Sequence, residues 1–448
     1  MASRADNIAS NLNLANFSKA TELKKRIWFT VGALIVFRFL TFVPLPGINP
    51  VMLKQFLDRS AGGILDFFNM FSGGALSNYS LISLGVMPYI TASIVVQLAA
   101  SLHPSLAALK KEGDSGRKKL NQYSRYGAVL LSIVQGFAIL KNADVQGFAV
   151  DPGPLFYVAG LTALVGGTMF LLWLGEQITS RGIGNGTSLI IMAGIVAQMP
   201  TFVVNLFEGG RSGSISGFVI VGLVLLLVAM ILIICFVERA TRRLLIQYPK
   251  RATQHGMQAD RSHLPLKLNT AGVIPPIFAS SLLLLPLTIS QFAGSSLSPG
   301  SKAGQFVVAL NQYLGHGKPT YMLLYAAGII FFSFFYTAVV FNPEETSENL
   351  KKNGGFIPGI RPGKNTANYL DYVLTRITVI GAAYLTAVCV IPEWVIAQTG
   401  MRLFFAGGTS LLIVVNVTVD TITQIQSHLL AHQYGDLIKK AKLKGRPR

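Results

Sequence analysis

The sequence predicts an all-α polytopic membrane protein with ten transmembrane helices. Three observations carry that reading. Half of the 448 residues are apolar and only 13% are charged, ten segments are apolar over the length a bilayer demands, and the basic residues concentrate in every second connecting segment. A hydrocarbon core of roughly 30 Å takes about 20 mainly apolar residues, fewer where flanking side chains snorkel. The ten segments are 27–43, 80–102, 126–140, 154–174, 188–207, 217–237, 271–292, 321–341, 372–391 and 403–422. The first follows a polar stretch ending at Arg26 and has no small-residue cleavage pattern behind it, so it reads as a retained span. The third is the shortest, and the seventh carries Pro275 and Pro276 near its start. Cys235 and Cys389 fall inside apolar runs, where small packed side chains are expected rather than a disulfide.

Charge orients the spans. With a net charge of +19, the basic residues must gather in whatever is not embedded. The segments 1–26, 103–125, 175–187, 238–270, 342–371 and 423–448 hold 29 of the 38 Lys and Arg. The opposite segments hold 7, and Arg38 and Arg376 lie within spans. Basic loops stay in the cytoplasm, so both termini are expected there. The chain then divides into a cytoplasmic segment 1–26, an N-terminal half 27–207, a C-terminal half 208–422 and a basic tail 423–448. Five spans per half is an odd number, which permits an inverted repeat, although the halves show no clear residue-level similarity.

Catalytic chemistry is missing from the pattern. No Asp or Glu lies well inside a predicted span, Asp420 being close to an end, and no nucleophile stands with a base. His428 and His432 have i,i+4 spacing in HLLAH but lack the glutamate of a zinc protease helix, so they read as an exposed cytoplasmic helix. The PGKN stretch fails as a phosphate loop, with Pro358 where the first glycine is required and Asn365 where Ser or Thr must stand. An ion-coupled secondary transporter is the alternative to a channel, and the same absence of intramembrane carboxylates weighs against it. No cofactor and no small-molecule substrate are expected.

Specific motifs recur along the chain: FNMFSGGALS from Phe68, GVMPYITASIVVQL from Gly85, HPSLAALKKEGDSGRKKLNQYSRYG from His103, WLGEQITSRGIGNG from Trp173, GGFIPGIRPG from Gly354 and GGTSLLIVV from Gly407. With the long basic loop after Phe236, these closely resemble the SecY family of protein-conducting channels, in matching order and spacing over the whole chain. The resemblance implies a ten-helix channel of two inverted five-helix halves around an hourglass pore that also opens sideways to lipid. It implies the bacterial cytoplasmic membrane, with SecE and SecG as companion subunits and signal peptides and unfolded chains as clients. The SecA ATPase or the ribosome would supply the driving force.

The resemblance also assigns residues. Its pore ring falls on Val86, Ile90, Thr187, Ile191, Ile277 and Ile413, where an apolar constriction would exclude water by dewetting. Thr187 departs from the aliphatic pattern, so it widens or wets one sector or the ring is offset by a turn; composition alone reads all six as helix packing. The plug falls on 62–77, with Ile64, Leu65, Phe67, Phe68, Met70 and Phe71 on about two helical turns before Gly73 and Gly74 break the chain. A static re-entrant turn fits the same residues. The sideways gate falls on Thr91, Ser93 and Gln97 of the second span and Asn269, Ser280 and Ser281 of the seventh. Polar pairs across such a seam would be weak, typically about 0.6 kcal/mol each, and Ser and Pro also serve ordinary packing and kinks.

The two basic loops, 238–270 and 342–371, remain. Arg239, Arg242, Arg243, Lys250, Arg251, Arg261 and Lys267 in the longer loop, with Arg361 and Lys364 in the shorter, read as docking positions for SecA and the ribosome. Topogenic charge with attraction to anionic lipids is the plainer account, and it suits the lysines of the C-terminal tail. It does not explain why Arg361 stands between Pro358 and Pro362 in a glycine-rich turn.

Overall fold

In hydrocarbon an apolar chain must satisfy every backbone group within itself, and only helices do so segment by segment. The computed structural model describes residues 21–49, 69, 72–213, 216–248, 251–253, 256–258, 261–283, 305, 318–399 and 408–444, and each of the ten predicted spans carries a helix. In the N-terminal half these are α1 (Thr21–Leu40), α2 (Met87–Leu102), α4 (Asp114–Val145), α5 (Pro154–Arg181) and the pair α6 (Gly186–Ala197) and α7 (Met199–Arg211). The short α3 (Pro104–Lys111) joins α2 to α4. In the C-terminal half they are α8 (Gly217–Arg239), α9 (Ile274–Leu283), α10 (Pro319–Val340), α12 (Lys364–Thr399) and α13 (Gly408–Lys444), with α11 (Pro343–Lys352) between α10 and α12.

The boundaries move for physical reasons. The second span begins at Met87 rather than at 80, because Pro88 suits a first helical turn and residues 81–86 form turns. The fifth divides at Gln198, where Pro200 starts a new helix. The shortest predicted span belongs to a 32-residue helix, since the polar stretch from Asp114 continues it away from the apolar part. The basic tail likewise remains helical as far as Lys444.

The apolar faces meet in two large clusters. One gathers α1, α2, α4, α5 and α6 and takes in Ile277 and Ile413 from the other half. The second gathers α8, α9, α10, α12 and α13 and takes in Ile94 from α2. Many large apolar residues elsewhere are exposed, among them Trp28, Phe39, Leu155, Phe218 and Leu323. On a membrane protein these faces meet lipid rather than water.

The all-α expectation needs one amendment. The long basic loop folds as β1 (Thr241–Gln247) paired antiparallel with β4 (Arg261–Lys267), and between them β2 (Arg251–Thr253) pairs with β3 (Gly256–Gln258). The ladder sets Thr241 opposite Lys267 and Gln247 opposite Arg261.

Candidate functional site

Four helices from both halves contribute aliphatic side chains to one buried cluster. Val86 precedes the first turn of α2 and Ile90 follows one turn on, Ile191 lies on α6, Ile277 in the first turns of α9 and Ile413 on α13. Val86, Ile191, Ile277 and Ile413 are buried in a single cluster, with Ile90 packed against it. Thr187 is half-buried. It stands in the first turn of α6, where the Asn185 side chain caps the helix by accepting from the Thr187 and Ser188 amides. There it faces α5, so near Gly175 that a methyl group added to that glycine would meet Thr187 N and Oγ1 at 3.3 Å. Ile195, fully buried one turn beyond Ile191, belongs to the same cluster.

Beneath the cluster runs the turn that leads into α2. Of the plug positions, Ile64, Leu65, Phe67, Phe68, Met70 and Phe71 lie outside the described residues, whereas Asn69 and 72–77 are within them. Ala75 is completely buried in the aliphatic cluster. Gly73 has φ +69°, and a Cβ there would stand 2.9 Å from Gly194 Cα on α6. Only glycine allows that conformation together with that approach. Arg38, counted from sequence as a charge stranded in a span, donates to the Gly73 carbonyl at 2.8 Å.

The polar residues expected at the seam between α2 and α9 bond within their own segments. Thr91 Oγ1 donates to Met87 O at 3.1 Å, Gln97 Nε2 to Ser93 Oγ at 3.1 Å, and Ser280 Oγ to Ile277 O at 2.9 Å. The Ser281 hydroxyl is buried without a hydrogen-bond partner among the described residues. Asn269 donates to Glu238 at 2.6 Å and exchanges bonds with the backbone of Gly272, which ties the approach to α9 to the end of α8 inside one half. The expected polar pairs across the seam are therefore not made among the described residues. A helical hydroxyl finds its own preceding carbonyl without bringing two helices closer. What crosses instead is apolar: Ile94 of α2 shares a cluster with Phe278, Ala279 and Leu283 of α9.

Elsewhere the halves are bonded. The Gly184 amide, before α6, donates to Gln424 Oε1 on α13 at 2.9 Å, and Thr418 Oγ1 lies 3.6 Å from Met192 Sδ. Between these elements and α9 is a cavity of about 290 Å³ lined by Asn185 and Ser188 of one half and Glu238, Asn269, Asn416 and Asp420 of the other. Sequence reasoning placed Glu238 in a hydrated loop. It is buried at the end of α8, and only its partner Asn269, 31 residues away, explains why.

The two basic loops form one folded unit. Gln247 and Phe356 exchange both backbone hydrogen bonds at 2.9 Å, joining β1 to the shorter loop. Leu244, Leu266 and Ile357 pack with Leu370, Val373, Leu374 and Ile377 of α12. The shorter loop is also pinned at both ends, by Ser347 Oγ donating to Gly363 O at 2.6 Å and Thr366 Oγ1 to Arg361 O at 3.0 Å. Arg239, Arg242, Arg243, Lys267, Arg361 and Lys364 are exposed on this unit, and Lys267 lies 3.8 Å from Asp420. The backbones of Arg251 and Arg261 lie in β2 and β4, while Lys250 falls outside the described residues.

The chain resembles known proteins along most of its length. Residues 80–422 match the SecY family model. Proteins described as protein translocase subunit SecY are 50% identical over 430 residues in Escherichia coli strain K12, covering 95% of this chain and 96% of that relative. The corresponding subunit of Rickettsia felis is 49% identical over 439 residues, covering 96% and 99%. A solved structure described as a protein-conducting channel superposes with a TM-score of 0.64 at 15% identity, over 91% of this chain and 92% of that one. Sec61 from the canine ribosome-channel complex does so with a TM-score of 0.61 at 15% identity and the same coverage. At such identities the two structures speak for the fold.

Proposed function

The chain belongs to the SecY family and is a multi-pass membrane channel for protein translocation, not an enzyme, and we propose that four parts of it divide that work. The observation that carries the proposal is the burial of aliphatic side chains from α2, α6, α9 and α13 in one cluster that draws on both halves. A constriction of this kind excludes water when idle and deforms around a passing chain, since no directional bond has to be broken. Its ring is Val86, Ile90, Ile191, Ile277 and Ile413, completed either by Thr187, as the resemblance has it, or by Ile195 in a ring offset by a turn.

The plug, 62–77, seats against this ring from the far side of the membrane, and the burial of Ala75 in the cluster supports that position. The lateral gate is the seam of α2 and α9. An apolar segment of about ten to fifteen residues, each contributing roughly −0.3 to −0.6 kcal/mol, can replace apolar contacts of this kind. The basic unit built from the two loops is the docking surface for SecA and the ribosome, a reading supported by the ribosome-bound state of the canine relative. SecE and SecG complete the assembly in the bacterial inner membrane, with both termini cytoplasmic, as the basic surplus on one side indicates. Nothing in these relatives favours the ion-coupled transporter.

Replacing Ile90, Ile191, Ile277 and Ile413 together with Asn is expected to make the idle channel conduct ions in planar bilayers while the chain still inserts. Unchanged tightness would return these residues to packing. Arg361→Glu is expected to slow SecA-driven translocation severalfold with topology and abundance intact, because one charge among many does not set orientation. A normal rate for that variant would remove Arg361 from the docking surface.

A further inference from the structure

The turn beneath the ring is held by two side chains that neither the channel reading nor the gate uses. Arg38 lies near the end of α1, half-buried, with its guanidinium 4.7 Å from the centre of the Phe42 ring and Nη1 2.8 Å from the Gly73 carbonyl oxygen. A charge at that depth is costly unless it is paired. Gln198, at the break between α6 and α7, donates from Nε2 to the Asn69 carbonyl oxygen at 2.9 Å. Asn69 is the hub of the turn, for its carbonyl also accepts from the Gly74 amide at 2.8 Å and Ser72 Oγ at 3.2 Å, while its Oδ1 accepts from the Ser77 amide at 2.9 Å.

We propose that Arg38 and Gln198 are positioning residues that clasp the turn at Gly73 and Asn69 to the N-terminal half, and that this clasp sets how tightly the idle channel closes. Both anchors belong to α1 and the α6–α7 break, so neither depends on α9 or α13. The two side-chain anchors of the turn therefore lie within one half. Gly73 is the contact point because its backbone lies against Gly194, which fixes the carbonyl in the direction of Arg38. A guanidinium bond to a carbonyl is stronger than the amide bond from Gln198, so Arg38 carries the larger share.

The inference rests on the plug reading above, and the experiment separates the two. Arg38→Met, Arg38→Lys and Gln198→Leu are made in the full chain and in a chain lacking residues 63–71, and resting ion conductance is recorded for the reconstituted translocase. Loss of one charge-assisted bond is expected to raise the idle leak of Arg38→Met about tenfold. Arg38→Lys should restore part of the seal, and Gln198→Leu should leak less than Arg38→Met. In the deleted chain none of the substitutions should add to the leak, because Asn69 and the segment that the turn at Gly73 holds in place are gone. Parental tightness in both Arg38→Met and Gln198→Leu, with a leaking deletion, overturns the clasp. So does an equal added leak from Arg38→Met in the deleted chain, which would make Arg38 a packing residue of α1. A deletion that does not leak overturns the plug reading itself, and the clasp with it.

Discussion

Where the loop before α6 meets α13, the two halves are joined by a backbone amide bonded to a side-chain amide, Gly184 N to Gln424 Oε1, with Thr418 touching Met192 close by. Where α2 meets α9, the polar side chains turn back on their own helices and the contact is carried by Ile94, Phe278 and their neighbours. The difference is one of exchangeability. Directional bonds hold one register and lose their worth when the partner leaves. Apolar contact between membrane helices can be replaced by any other apolar helix or by lipid at little cost. A channel that must release segments sideways needs the second kind of seam in one place and the first kind elsewhere, so that it parts along a chosen line.

The strongest way to break this comparison is to weld the apolar seam. Cys pairs scanned around Ser93 and Ser280, after replacement of Cys235 and Cys389, are expected to form a disulfide in the idle protein wherever their Cα atoms lie within about 7 Å. A welded channel should lose both signal-sequence admission and release of membrane segments, and reduction should restore them. Full activity in every crosslinked pair would remove α2 and α9 from the gate.

A smaller effect is expected at the bonded contact. Gln424→Leu leaves the Gly184 amide without its acceptor and should cost about 1 kcal/mol, seen as a lower thermal midpoint in detergent. Gly184→Ala should cost more, roughly 1–3 kcal/mol, since φ is +85° there and the new Cβ would stand 2.9 Å from Leu189 Cδ1. If neither variant lowers the midpoint, the two contacts do not differ as described.

The least change is expected from the polar residues of the apolar seam. Ser93→Ala and Gln97→Leu remove a bond internal to α2, so the hydrophobicity a signal segment needs for admission should move by less than about twofold. A large shift, read with a series of signal sequences of graded leucine content, would show that these side chains cross the seam in the working channel.

Much of the fold was legible because its causes are local. Apolar length is summed over a window of sequence, so every predicted span carries a helix, and charge is counted loop by loop. Pro88 and Pro200 even mark where helices begin, although reading 80–102 and 188–207 as single spans passed over them. The site was legible only as a choice of faces. Thr187, Ile191 and Ile195 are spaced four apart and share one side of a helix, so periodicity cannot say which of them reaches the centre. The cap at Asn185 and the approach to Gly175 place Thr187 beside α5, while Ile195 is buried in the aliphatic cluster.

By itself the sequence determined that this chain is a multi-pass membrane protein and which motifs it shares with a family, and it set the expectation of ten crossings with the basic loops in the cytoplasm. Hydropathy and charge are properties of segments and survive in any arrangement of them. Tertiary structure alone decided the partners: Arg38 on the Gly73 carbonyl, Glu238 with Asn269, Gln247 bridged to Phe356, and seam hydroxyls that bond their own helices. Those choices depend on distances between residues far apart in the chain. A polar side chain takes whichever acceptor stands within about 3 Å, and no local pattern records which that will be.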